Sequence, residues 1–220
     1  MELSELIHRT RGLVDARVAP SLGDSDFVIF ANRAEREAAE RALCLRAKYD
    51  LALSVGDGEY EIPSAGVRPE SIVVQRVYVD GKPIAKGTAE QLEAWQERYT
   101  TQDTPTTFGQ RGQVLYLAPL PKAAITITLS GVWYPLTPMT EPNHEPAVPS
   151  HLHDDLTAWM AYEAILTTDA SDSRPERRTR LADRYISRFT RRFGPARSAR
   201  EINAWRELPQ ERRVRIPRRI

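Results

Sequence analysis

Between Asp172 and Ile220 the chain carries sixteen arginines, no lysine and six acidic residues, a local net charge of +10. The preceding 171 residues hold 15 basic and 24 acidic side chains, net −9, so the formal total of +1 conceals a dipolar chain. Guanidinium groups grip carboxylates in bidentate pairs and phosphates without regard to base sequence. Six of them fall in the last sixteen residues, where Trp205, Arg206, Arg212, Arg213, Val214, Arg215, Ile216, Arg218 and Arg219 are the expected partner-binding set. Two partners answer this chemistry: an acidic groove on a protein, or the backbone of a nucleic acid. The apolar residues between the arginines, with Leu208 and Ile220, favour the protein, because they need a hydrophobic surface to cover them.

Catalytic chemistry has no comparable signal. His151, His153, Asp154 and Asp155 are the one cluster of metal-ligand types, but two histidines spaced i, i+2 on a helix diverge, and no second cluster accompanies them. A polar helix start is the expectation there. No dinucleotide or Walker fingerprint, nucleophile elbow or His-Glu-x-x-His is present. Glu59 and Glu61 are of the type that forms hydrolase pairs, but in an alternating strand they mark the solvent face. Cys44, the single cysteine, reads as a structural thiol in a helical stretch. The expectation is no enzyme, no cofactor and no bound metal.

At 220 residues and 41% hydrophobic content the chain suits one large or two small globular domains. Its longest apolar runs, Phe27 to Ala31 and Ile72 to Val74, fall far short of the ~20 residues that cross a bilayer. The start, Met-Glu-Leu-Ser-Glu, lacks the basic and apolar regions of a secretory signal, so a cytosolic site of synthesis and no membrane partner are expected.

The elements that position these residues follow from periodicity. Leu3, Leu6, Ile7, Thr10 and Val14 make one stripe of a first helix. After Ala19 to Asp24, turn chemistry, a second helix runs from a cap in Asp24 to Asp26 to about Arg46, with the charge run Arg33 to Arg41 as a solvated face. From Tyr49 the period becomes two. Tyr49 to Val55, Gly56-Asp57-Gly58 and Tyr60 to Pro63 predict a β-hairpin. Ser71 to Val79 meets Asp80-Gly81, a type I′ turn, and returns through the edge strand Lys82-Pro83-Ile84. Thr88 caps a short helix to Arg98, and strands follow at Gln113 to Leu117 and Ala124 to Tyr134. Five prolines between Tyr134 and Pro149 predict an extended crossover. Ser150 then caps an apolar-faced helix, and a last helix runs from Pro175 to Phe193 before Gly194-Pro195. The fold expected is α+β: an antiparallel helical bundle from residues 1–48 and 135–195, an inserted antiparallel β domain over 49–134, and an extended arm over 196–220.

The order of several local patterns resembles the head-to-tail adaptor proteins of tailed bacteriophages, also called connector, neck or tail tubular protein A. The patterns are the segment Tyr49 to Pro63, the strand and turn Val74 to Gly81, the Trp95 helix followed by Thr104 to Phe108, Leu115 to Pro121, and Val148 to Leu156 opening a helix. Together they span residues 3–190. The resemblance implies that helices from both chain ends form a bundle, and that copies, usually twelve, form a ring beneath the portal. It further implies that the C-terminal segment docks on the portal, that the ring extends the DNA channel without reading sequence, and that a tail or nozzle protein binds below. The implied location is the neck of the virion, at the head-tail junction. A net −9 over residues 1–171 and +10 over residues 172–220 also suit heterologous ring contacts.

Two other classes compete. A nucleic-acid-binding module using the arginine arm would bind with a steep salt dependence. A carbohydrate-binding accessory protein would need Tyr60, Tyr78 or Trp133 exposed as a platform, whereas strand positions predict that they face the core.

Overall fold

The structure is a computed structural model and describes residues 1–14, 22–62, 71–135, 137–167, 175–198, 200–202 and 204. It is α+β, with two compact units: Met1–Leu45 with Pro135–Ala196, and Arg46–Tyr134 with the described residues from Arg197 onward.

The first unit holds helices α1 (Leu3–Leu13), α2 (Asp24–Ala42), α4 (His153–Thr167) and α5 (Pro175–Phe193). α4 packs against each of the other three. Its sequence explains this: Leu156, Ala158, Trp159, Met160, Ala161, Ala164 and Ile165 are all buried, so its apolar surface is too broad for one neighbour. α2 buries Ala31, Ala34, Ala38 and Ala39 completely, small side chains that permit close packing. Its charge run is not simply the solvated face expected. Glu35 and Arg41 are buried, because the alanines interleaved with the charges face the core and carry both neighbours inward. α2 starts at Gly23, whose N–H donates to the Asp26 carboxylate, and ends at Ala42 with Leu43 in the left-handed region at φ 51°. Cys44 therefore lies beyond the helix. The crossover before α4 has no regular structure until a 3-10 turn at Ser150–Leu152, so Ser150 opens that turn and does not cap α4.

The second unit is a two-sheet sandwich. Its strands are β1 (Arg46–Leu53), β2 (Glu59–Glu61), β3 (Ser71–Val79), β4 (Lys82–Pro83), β5 (Ala85–Lys86), β6 (Gln102–Asp103), β7 (Thr107–Arg111), β8 (Val114–Ala118), β9 (Leu120–Pro121) and β10 (Ile125–Trp133), with helix α3 (Ala89–Gln96) between β5 and β6. One sheet has the order β1-β10-β3-β4, the other β2-β8-β7-β5, and β6 pairs with β9 alone. Between the two larger sheets lie Leu51, Leu53, Ile62, Val74, Val77, Phe108, Leu115, Leu117, Ile127 and Leu129.

The expected hairpin over Tyr49 to Pro63 does not form. β1 pairs with β10, Leu51 opposite Ile127, whereas β2 pairs with β8, Tyr60 opposite Leu115. The Tyr60 hydroxyl lies 2.9 Å from the carbonyls of both Ser54 and Asp57, which share its one proton, and so holds a corner that carries the chain from one sheet to the other. The Asp80-Gly81 turn does form, both residues at positive φ, and β4 is the edge strand. The β domain is not wholly antiparallel: β5 with β7 and β6 with β9 are parallel pairs, the first connected through α3 and the second through the β7–β8 hairpin.

Two glycines set the close approaches. A Cβ on Gly131 would lie 2.2 Å from the Val73 carbonyl oxygen, where the β10–β3 register shifts. One on Gly109 would lie 2.9 Å from the Ala89 nitrogen, so the bare backbone of β7 admits the start of α3.

Candidate assembly surfaces

Trp205, Arg206, Arg212, Arg213, Val214, Arg215, Ile216, Arg218 and Arg219 lie outside the described residues. The upstream part of the arginine-rich sequence is α5, and its arginines divide by role. Arg178 donates to the carbonyls of Ile165 (2.8 Å) and Leu166 (3.0 Å), closing the C-terminal end of α4. Arg188 and Arg192 both reach Asp155 in the first turn of α4, at 3.6 and 3.1 Å. Arg177, Arg184 and Arg191 form a separate, exposed set at seven-residue spacing. Two turns of helix separate successive members, so they share one face about 21 Å long. No carboxylate among the described residues pairs with them.

In the same unit the crossover is held to α2 by two polar side chains one turn apart. Asn32 donates to the Met139 carbonyl at 2.9 Å and accepts from its N–H at 2.7 Å, pairing with the backbone as a strand would. Glu35 accepts from the N–H groups of Ala147 and Val148, and burial pushes its carboxyl up to about 7, partly offset by those two donors. The N–H groups of Leu3 and Ser4 donate to the carbonyls of His144 and Pro142, so the crossover satisfies the start of α1. His153 is buried and its Nε2 lies 2.7 Å from the Val148 carbonyl, which only accepts, so Nε2 carries the proton and Nδ1 faces the Met1 amine at 3.1 Å. His151 is exposed. Among the described residues no three His, Cys, Asp or Glu side chains are grouped to hold a metal ion.

Arg41 also belongs to this unit's interior. Its guanidinium lies 4.9 Å from the Trp159 ring and 5.3 Å from the Phe189 ring, and it donates to Glu37 at 2.9 Å. The surface nearby offers exposed Ile29 and Leu166. A groove of about 400 Å³ runs between α1 and α2, lined by Leu3, Ile7, Val28 and Pro142 with the Arg11–Asp24 ion pair beside it.

In the sandwich, β8 has both faces covered. Leu115 and Leu117 point between the sheets, while Tyr116 and Ala118 meet Ala89 and Leu92 of α3. Glu59 and Glu61 stand opposite Tyr116 and Val114, so they share the α3 side of the sheet, and both are exposed. Glu93 of α3 and Glu59 push the Tyr116 phenol up, after burial itself. Tyr60 and Trp133 are 8% and 1% exposed, which removes both as a sugar platform. Cys44 is half-buried and burial pushes its thiol up, against nucleophilic use. Sequence reasoning did not single out Asn32, Glu35 or the α5 stripe; the regular Arg177-Arg184-Arg191 spacing was the available signal for the last.

No helix among the described residues is long and apolar enough to cross a membrane. No curated protein matches the chain. The family model described as SU10 adaptor protein matches residues 1–214, which takes in both units and most of the arginine-rich segment. The chain belongs to this family of phage head-to-tail adaptors, and its role is structural.

Proposed function

We propose that copies of this chain form a ring beneath the portal of a tailed phage, extend the DNA channel and join the capsid to the next tail component. The observation that carries the reading is the family match over residues 1–214. The molecule supplies parts suited to it. Exposed Ile29 and Leu166 and the groove beside α1 and α2 are apolar surface for a neighbouring copy. Oppositely charged regions on one chain favour heterologous contacts, which close into a ring when the rotation permits. A ring of twelve, the helical bundle of residues 1–48 and 135–195 as its wall, the β domain over 49–134 as a contact surface, and an arm over 196–220 that docks on the portal complete the proposal. The mechanism is passive: subunits join the portal and present a surface to the tail, with no covalent chemistry.

Co-sedimentation of the purified chain with portal rings of the same phage tests the reading. Stoichiometric binding by the full chain and its loss on truncation after Pro195 are expected. Binding undiminished by that truncation would remove the arm from the mechanism, and no binding by either form would overturn the adaptor reading.

A second reading, nucleic-acid binding, is favoured by the exposed stripe Arg177, Arg184 and Arg191, which no carboxylate among the described residues pairs. It expects the free chain to bind duplex DNA with affinity falling steeply as salt rises, and Gln at all three positions to flatten that slope by about 3 units.

A further inference from the structure

The α3 side of the second sheet is only part covered. α3 packs on β7 and β8. The β2 edge of the same face extends past it and presents Glu59 and Glu61. α3 adds Glu90, Glu93 and Glu97, whose spacing of three and four places them on one stripe. Arg111 answers two of these, at 2.9 Å from Glu93 and 4.0 Å from Glu90; Glu59, Glu61 and Glu97 have no basic partner among the described residues, and Arg98 is the one further base on the helix end.

The same face carries apolar surface. Tyr99 is 44% exposed with its ring stacked on half-buried Trp95 at 5.6 Å, and Val55 is 55% exposed. These groups are neighbours in the fold: Gln96 donates to the Gly58 carbonyl at 3.0 Å, which brings the α3 end over the Val55 to Glu59 segment. The surface is thus amphipathic, with carboxylates along the strand edge and helix and exposed apolar side chains at one end.

One segment of this chain has the complementary composition. Residues 205–220 contain six arginines and two acids, net +4, with Trp205, Leu208, Val214, Ile216 and Ile220 between them. The segment also follows residues of the same unit. Arg197, Ser198, Glu201 and Ile202 belong to the sandwich unit, Ile202 is buried, and the Ser198 hydroxyl and N–H are fixed to the Glu201 carboxylate at 2.8 and 2.7 Å, starting a helical turn. Sixteen residues from that point reach at most about 58 Å.

We propose that in the free chain residues 205–220 lie on this acidic and apolar face of their own sandwich. The arm then covers Tyr99 and Val55 and neutralises Glu59, Glu61 and Glu97 until a partner competes for it. The contact is charge-assisted, so raised salt loosens it.

Photo-crosslinking of the free full-length chain tests this without the portal, and so independently of the ring. A benzophenone amino acid replaces Trp205, and the chain is irradiated alone and mixed with an isotope-labelled copy. The expected crosslinks fall in residues 54–61 and 93–99, within one chain. Their yield drops at least fivefold in the variant Glu59→Lys, Glu61→Lys, Glu97→Lys. It holds in Glu176→Lys, a reversal on exposed α5 surface, and circular dichroism reports that both variants are folded. Crosslinks elsewhere, crosslinks only between labelled and unlabelled copies, or a yield indifferent to the triple reversal would overturn the inference.

Discussion

The two units solve burial differently. The helical unit encloses Glu35, Arg41, His153 and Thr10 and satisfies each with a backbone group, a ring or an ion pair. The sandwich encloses apolar side chains with few polar exceptions. Gln110 accepts from the Val74 N–H at 2.8 Å, and Lys86, its ammonium disfavoured by burial, donates to the Val74 carbonyl. The difference follows from what each must hold. Strands satisfy most of one another's backbones, so buried polar side chains are needed at few points such as Val74, beside the β3–β10 register shift. A proline-rich crossover has no ladder, and side chains of α2 supply the missing partners.

The comparison breaks first at Phe189. Its ring packs 5.0 Å from Trp159 and 4.5 Å from Phe193 and forms one side of the Arg41 site. Phe189→Ala removes it and leaves Arg41 less enclosed, so urea unfolding followed by helical circular dichroism should show a loss of about 3–5 kcal/mol. A loss under 1 kcal/mol would mean that this interior is not what holds the helices.

Glu35 makes the helical unit's stability depend on pH. Its carboxyl sits at about 7 in the fold against an ordinary 4.5, so the native state binds the proton more tightly than the unfolded chain. The associated stability is full below about pH 4.5, falls as pH rises to 7, and amounts to about 3 kcal/mol at most. Glu35→Gln keeps the shape and should remove this fall, leaving the variant the more stable at pH 8. Parallel stability curves for the two proteins between pH 5 and 8 would show that Glu35 does not titrate there.

In the sandwich the sensitive point is steric. Gly131→Ala sets a methyl against the Val73 carbonyl and should cost about 1–3 kcal/mol, read from the midpoint of urea unfolding. An unchanged midpoint would mean that β3 yields freely. The smallest effect is expected on the surface: Gln at Arg177, Arg184 and Arg191 should leave stability within about 0.5 kcal/mol. A larger loss would give the stripe a structural role.

Much of the fold is legible in the sequence because helices and tight turns are local. The Leu3, Leu6 and Thr10 stripe, the Thr88 cap with Gln91 and the Asp80-Gly81 turn appear where periodicity and turn chemistry place them. Strand pairing is not local. Alternation in Tyr49 to Leu53 says that one face is buried, but nothing in it names β10 as partner over β2. β7 escapes notice for a related reason: Thr107, Phe108, Gly109 and Gln110 are all buried, so no alternation survives, and its glycine and glutamine resemble a loop. Glu35 was hidden by its neighbours, since a charge within an Arg-Glu-Ala run reads as solvated until the crossover packs on it. The arginine-rich chemistry was plain as composition; which α5 arginines are structural depended on where Asp155 and the end of α4 lie.

The adaptor reading is tested most directly by imaging the full-length chain bound to portal rings of its own phage at low resolution. The account predicts a closed ring of chain copies coaxial with the portal, continuing its channel. Folded chain and intact portals that form no such ring would contradict it.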